Sequence, residues 1–381
     1  MIKILTIIGA RPQIIKAAAL SRAIRDKYSE KIKEVILHTG QHYDENMSKI
    51  FFDELQIPQP DYNLNVGSNS HAKQTAAMIE GIEKITLAEK PHCLVVYGDT
   101  NSTMAVAVAA SKIHFPIVHI EAGLRSFNKT MPEEINRIMC DHVSTLLFSP
   151  TKTGINNLVA EGFKKDNKPP YNSDNPKIYH CGDVMYDNSI HFSEFALKNT
   201  SILKDNDLDP GNFILVTIHR DNNTDNKERL YSLFNALNKI SKQDNIQIIL
   251  PLHPRTTRIL KKNLTAELYD TIENNTLLNI IPAVSYLNMI VLEHHSKLIL
   301  TDSGGVQKEA YFFKKPCIIL RKETEWLELV WNGNAIITDA DETRILKAYN
   351  LLKSKTDFTY PPIFGDGKAA EFICEEIIKH I

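Results

Sequence analysis

Short, unbroken apolar runs alternate with amphipathic helical stretches from one end of the chain to the other. Runs such as Cys93–Tyr97 and Phe213–Thr217 lack the polar alternation of a half-solvated strand, so both their faces must be covered. A parallel sheet with helices on both sides satisfies that demand. In the first half the expected strands are Lys3–Ile8, Glu34–Thr39, Cys93–Tyr97, Pro116–Ile120, Leu146–Ser149 and Ile178–His180. In the second half they are Phe213–Thr217, Gln247–Leu252, Leu277–Ile281, Leu298–Leu300 and Cys317–Leu320. Helices are expected over Pro12–Tyr28, Asn101–His114, Glu133–His142 and Glu371–His380. A chain of 381 residues exceeds one ordinary core. The pattern restarts after a polar surface loop, 164–176, which holds three prolines. The expected fold is therefore α/β, with two Rossmann-like doubly wound domains at 1–185 and 186–365. By analogy with other two-domain folds of this kind, the closing helix at 366–381 returns to the first domain.

Charge and cysteine usage exclude several classes. A formal charge of −2 gives no electrostatic case for nucleic acid or an anionic membrane. The five cysteines are scattered without a C-x-x-C pair, which points to reduced thiols in a cytoplasmic protein. The apolar run Ile2–Ile8 meets Gly9-Ala-Arg-Pro12 too early for a signal peptide. No apolar run approaches the ~18 residues of a membrane span. Neither a metal-ligand spacing, a G-x-G-x-x-G after strand one nor a Walker A motif is present, so no metal, nicotinamide or other cofactor is expected.

Open parallel sheets bind ligands beyond the carboxyl ends of their strands. Arg11 follows the first strand and Lys16 lies on the next helix, a placement that suits an anion. Ser303-Gly304-Gly305 opens a helix after Leu298–Leu300, where small residues let backbone N–H groups approach a phosphate; Glu309 lies one turn further in. His219 follows Phe213–Thr217 at the same level, and His253 is divided between structure and function. The runs Tyr97–Thr103, His119–Arg125 and Pro132–Arg137 gather Asp99, Glu121, Glu133 and Glu134 beside Arg125 and Arg137. Asp99 is open between capping the next helix and acting on a ligand. Glu133 and Arg137, four residues apart, are open between a surface ion pair and a site. Glu121 ends a buried strand, so its carboxylate needs a partner, for which Arg125 is available.

These runs together resemble the non-hydrolysing UDP-N-acetylglucosamine 2-epimerase family over essentially the whole chain. The likeness rests on Arg11-Pro12…Lys16, Thr39-Gly-Gln-His42, Gly98-Asp-Thr100, Glu121-Ala-Gly-Leu-Arg125, Pro132-Glu-Glu-Ile-Asn-Arg137, His219-Arg220, Thr301-Asp-Ser-Gly-Gly305…Glu309 and Arg321…Thr324-Glu325. The resemblance implies a glycosyltransferase-B-like fold with its active site in the interdomain cleft, a homodimer, and no metal or nicotinamide. It also implies inversion of C2 in UDP-GlcNAc to give UDP-ManNAc, by loss and re-addition of UDP through a 2-acetamidoglucal. On that basis Asp99, Glu121, Glu133, Arg137, His219 and Lys16 are the catalytic candidates. Arg11, Arg125, Tyr286, Ser303, Gly304, Gly305 and Glu309 would hold the UDP-sugar, Glu309 taking the ribose. In some members a second UDP-GlcNAc binds as an activator, which would involve Gln41, His42 and His253. The family's Arg-Pro-Glu reads Arg11-Pro12-Gln13 here. Arg125-Ser-Phe-Asn128, Pro282–Tyr286 and Glu323-Thr-Glu-Trp326 look closer to a branch acting on UDP-2,3-diacetamido-2,3-dideoxyglucuronate. That substrate is the alternative, and a transferase of the same fold is the second alternative.

Overall fold

The computed structural model describes residues 1–41, 57–252 and 254–381. Its apolar runs form two sheets in which every pairing is parallel. The chain divides into two units, Met1–Ile190 with Pro362–Ile381, and His191–Pro361.

In the first unit the strands are β1 (Ile2–Ile8), β2 (Ile32–His38), β3 (Tyr62–Asn63), β4 (Cys93–Tyr97), β5 (Ile117–Ile120), β6 (Leu146–Ser149) and β7 (Lys177–His180). They lie in the order β3-β2-β1-β4-β5-β6-β7. Between them run α1 (Arg11–Ala23), α2 (His71–Glu89), α3 (Asn101–Lys112), α4 (Pro132–Asp141) and α5 (Lys152–Ala160). The helix α6 (Val184–Asn199) carries the chain into the second unit. There β8 (Phe213–Thr217), β9 (Gln247–Leu252), β10 (Leu278–Pro282), β11 (Leu298–Thr301), β12 (Cys317–Ile319) and β13 (Ala335–Ile337) lie in the order β10-β9-β8-β11-β12-β13. The helices that matter for the site are α7 (Tyr286–His295) and α8 (Gly304–Phe312); α9 (Ala369–His380) closes the chain and belongs to the first unit.

Both sheets start in their middle, run outward on one side, and restart beside the first strand. Connections from β1 and β4 therefore leave in opposite directions, as do those from β8 and β11. That divergence opens a crevice at the carboxyl ends of each central pair. The core explains why the strands read as solid apolar runs: all five residues of β4 and of β8 are buried. Each fully buried aliphatic side chain contributes about 1.5–3 kcal/mol relative to exposure.

Most expected strand and helix ends shift by one or two residues, and two differences are larger. The first helix ends at Ala23 and continues to Tyr28 as a π-turn. The edge strands β3 and β13, absent from the sequence reading, are only two and three residues long. So short a run has no measurable period, and its strand character comes from the neighbour it pairs with. The closing helix has no side-chain cap of its own. Asp187 supplies one by accepting from the amides of Ala369 (3.2 Å) and Ala370 (2.8 Å).

Candidate active site

In the first unit the groups collect beyond β1, β4 and β5. Glu121 directly follows β5 and has a left-handed backbone, φ 75°. A residue with a Cβ pays for that conformation, and such outliers concentrate at functional sites. Its carboxylate pairs with Lys16 Nζ, and both side chains are nearly covered, at 10% and 12% exposure. The pair sits over Gly98, which has φ 61°. A Cβ there would stand 3.0 Å from Lys16 Nζ and 3.1 Å from a Glu121 oxygen, so a side chain at position 98 would crowd the pair as well as strain the left-handed backbone.

Asp99 is held from two sides by α4. Its carboxylate accepts from Arg137 Nη2 at 2.7 Å, and its carbonyl accepts from Asn136 Nδ2 at 2.9 Å. Thr100, not Asp99, caps α3 by accepting from the amide of Thr103. Arg137 is 5% exposed and pairs with Glu134 at 2.7 Å as well as with Asp99, in place of the Glu133 surface pair considered from spacing. Glu134 is buried and also accepts from the amides of Ser126 (2.9 Å) and Phe127 (3.0 Å). Glu133 is exposed on the same first turn, and so is Arg11 at the start of α1.

Arg125 corrects another expectation. Its guanidinium is 1% exposed and is spent on Asp141 Oδ2 (2.8 Å), Glu161 (2.7 Å to each oxygen) and the carbonyl of Leu124 (2.7 Å). The partner that reaches Glu121 is Lys16. The residue is fixed as a strut for its strand end.

In the second unit Asp302 is fully buried at the end of β11 and organises the turn after β8. It accepts from the amides of His219 (3.2 Å) and Arg220 (3.1 Å), from Asn223 Nδ2 (3.0 Å) and from His219 Nδ1 (2.9 Å). Burial pushes the Asp302 carboxyl up, but His219 and the other donors outweigh it and hold it below the ordinary value. His219 itself projects outward, its side chain 56% exposed. Ser303 caps α8 by accepting from the amide of Val306. The first-turn amides of Gly304 and Gly305 have no intrahelical acceptor, and both residues are half-buried. Arg321 and Glu325 form a buried two-pronged ion pair (3.0 and 2.9 Å), which a Cβ added at Gly304 would just touch. Glu309 is buried on α8, and Tyr286 opens α7 with its ring edge-on to Phe192.

Gln41 belongs to the first unit, where its side-chain carbonyl accepts from the amide (3.1 Å) and hydroxyl (2.8 Å) of Ser102. His42 and His253 lie outside the described residues. Among the described residues no group of three or more His, Cys, Asp or Glu side chains is arranged to hold a metal, and no helix is long and apolar enough to cross a membrane.

Sequence reasoning gave no role to Gln13, His119, Asn136, Asp141 or Asp302. All five are buried polar residues whose side chains bond strand-end backbone. For His119 and Asp302 the available signal was position, inside or directly after an apolar run; Gln13, Asn136 and Asp141 lie on helices, where nothing local marked them as buried.

The model of the UDP-N-acetylglucosamine 2-epimerase family matches residues 25–378. A UDP-N-acetylglucosamine 2-epimerase homolog from Methanococcus maripaludis is 47% identical over 374 residues, covering 98% of each chain. The UDP-2,3-diacetamido-2,3-dideoxy-D-glucuronate 2-epimerase of Pseudomonas aeruginosa is 46% identical over 379 residues, covering 99% of each. Among solved structures, Methanocaldococcus jannaschii UDP-GlcNAc 2-epimerase in complex with UDP-GlcNAc and UDP superposes with a TM-score of 0.86 at 40% identity, covering 99% of this chain and 100% of that one.

Proposed function

Because the chain belongs to the UDP-N-acetylglucosamine 2-epimerase family, we propose that it inverts C2 of a UDP-N-acetylhexosamine, converting UDP-GlcNAc to UDP-ManNAc. The observation that carries this reading is the Lys16–Glu121 pair on a strained strand end, beside Asp99 locked by Arg137. C2–H is a weak acid, and its removal needs positioned carboxylates. Asp99, Glu121 and Glu133 divide the two proton transfers. One takes the C2 proton as the C1–O bond to UDP breaks, leaving a C1=C2 double bond in a 2-acetamidoglucal. UDP then adds back to C1 while another carboxyl group returns a proton to the opposite face of C2. Arg137 orients Asp99, and Lys16 holds the Glu121 carboxylate in place.

The departing UDP carries negative charge, and donors already aimed at it stabilise its departure without reorganising. We assign that work to the Gly304 and Gly305 amides, the Ser303 hydroxyl, His219 and Arg11, with Glu309 accepting from the ribose hydroxyls. Incubation with UDP-GlcNAc in heavy water, followed by proton NMR, tests the reaction. Deuterium at C2 of both epimers, with UDP still attached, is expected. A transferase would leave C2 untouched without an acceptor, and a hydrolysing enzyme would release free sugar and UDP. Either result overturns the reading. The similarity to the P. aeruginosa enzyme favours a second substrate, UDP-2,3-diacetamido-2,3-dideoxyglucuronate. Running both sugars side by side decides between them by their relative kcat/KM.

A further inference from the structure

Glu121 sits in a backbone conformation that its own Cβ disfavours, so neighbouring groups must impose it. One buried carboxylate does so. Asp141, at the last turn of α4 and fully covered, reaches His119 Nδ1 at 2.7 Å through Oδ1. Its Oδ2 accepts from the amide of Gly123 at 3.1 Å and from Arg125 Nη1 at 2.8 Å. It therefore grips the chain two residues before, two after and four after Glu121. The same His119 ring extends the grip to the next strand, because its Nε2 stands 2.8 Å from the carbonyl of Gly98. That carbonyl belongs to the residue beneath the Lys16–Glu121 pair and immediately before Asp99.

The partners assign the protons. A carbonyl oxygen only accepts, so Nε2 carries a hydrogen. Asp141 is ionised against Arg125, so it also accepts, and Nδ1 carries a hydrogen too. His119 is thus an imidazolium, and the buried cluster closes as two cations, His119 and Arg125, against two anions, Asp141 and Glu161. Burial opposes the charge on His119, but Cys140 and Asp141 outweigh it and hold the ring well above its ordinary pKa. Burial likewise opposes ionisation of Asp141, and His119 followed by Arg125 reverses it.

We propose that Asp141 and a cationic His119 are positioning residues, holding the strained turn that presents Glu121 and, through the Gly98 carbonyl, the backbone that presents Asp99. The proposal rests on the reading that these two carboxylates exchange the C2 proton. Neither Asp141 nor His119 reaches solvent, so neither touches the sugar.

Two measurements test it. In the intact protein labelled with 15N-histidine, His119 is expected to keep both ring N–H groups from about pH 6 to about pH 9. A ring with one N–H, or one titrating near the ordinary histidine pKa, overturns the proposal. Second, His119→Asn keeps a donor near Asp141 but loses the one to Gly98, and His119→Gln does the reverse. Displacing a reacting group by about an ångström can cost about 10²-fold. We expect His119→Asn to lower kcat and deuterium wash-in at C2 of UDP-GlcNAc by that order, with the Kd for UDP unchanged. His119→Gln should retain more of both. Unchanged kcat in a variant that binds UDP normally overturns the proposal, as does a loss of UDP affinity in step with kcat. If the unaltered protein labels no sugar at C2 while His119 shows two N–H groups, the functional reading fails and the cluster stands.

Discussion

Gln13 uses both ends of its amide. Its oxygen accepts from the amides of Gly9 (2.9 Å) and Ala10 (3.2 Å), and its nitrogen donates to the carbonyl of Tyr97 (3.0 Å) and the hydroxyl of Thr103 (3.1 Å). A carboxylate accepts the first two bonds but cannot donate the others. Gln13→Glu should therefore destabilise the chain by about 1–3 kcal/mol, the cost of setting a buried carboxylate oxygen without a donor against the Tyr97 carbonyl, which keeps its bond from the Thr103 hydroxyl. Urea unfolding at neutral pH measures it, and an unchanged midpoint and slope would contradict the bonding scheme. The same residue-scale logic applies to the carboxylates proposed for proton transfer. Glu121→Gln and Asp99→Asn preserve shape and remove the base, so kcat for UDP-GlcNAc should fall by about 10²–10⁴-fold. The UDP dissociation constant, read by calorimetry, should hold, because neither carboxylate is among the groups assigned to the diphosphate. Activity near that of the unaltered protein in both variants would remove these residues from the chemistry.

Among the elements, α4 does the most. Glu134, Arg137 and Asp141 fall on one helical stripe, with Asn136 beside it. That stripe faces inward and fixes Ser126–Phe127, Asp99 and the Glu121 turn respectively. Ile135 and Met139 meanwhile are each 39% exposed. The helix is inverted relative to the usual amphipathic rule, which is why its periodicity revealed a helix but not which residues it buries. The other decisive element is the start of α8. Gly304 is its first residue, Ser303 before it has φ −84° and ψ 127°, and a Cβ at Gly304 would meet nothing closer than 3.8 Å. Proline is tolerated at such a position, and extended backbone is what a residue before proline prefers. Gly304→Pro should leave the thermal midpoint nearly unchanged while deleting one amide donor. A hydrogen bond to a charged group contributes about 1.5–3 kcal/mol, so UDP affinity should drop by about 10- to 100-fold. Undiminished affinity in the folded variant would take the diphosphate away from this helix.

At the scale of the whole molecule, its buried charges set a pH window for stability. Asp141 and Asp302 have folded pKa values below their ordinary ones. Their contribution is complete above the unfolded value of about 3.9 and is lost as pH falls through the depressed native values. His119 is raised, so its contribution is complete below about 6.5 and is lost as pH climbs toward its native pKa. Asp187 behaves like His119 but lower. Burial lifts it to about 6 against the two helix amides it caps, so its share fades between about 4 and 6. Unfolding free energy should therefore rise steeply on leaving strong acid, reach its maximum in mild acid, and decline into the alkaline range. Urea titrations across pH measure the curve, and a flat acid limb would contradict the assignment of Asp141 and Asp302.

The sequence by itself determined the class of fold, since runs apolar on both faces and spaced by helices can be buried only as parallel sheets. It also located the strand ends where Asp99, Glu121, His219 and Ser303 stand, because each directly follows such a run or lies one or two residues beyond it. Partnership was decided only by tertiary structure. Lys16 and Glu121 are separated by 105 positions, and Arg137 and Asp99 by 38. Nothing local distinguishes Lys16 from Arg125 as the cation for Glu121, or Glu133 from Glu134 as the acid for Arg137. Periodicity reports which face of an element avoids water. Which charges meet depends on strand order and on where Asp141, buried at the end of one helix, draws the chain around itself.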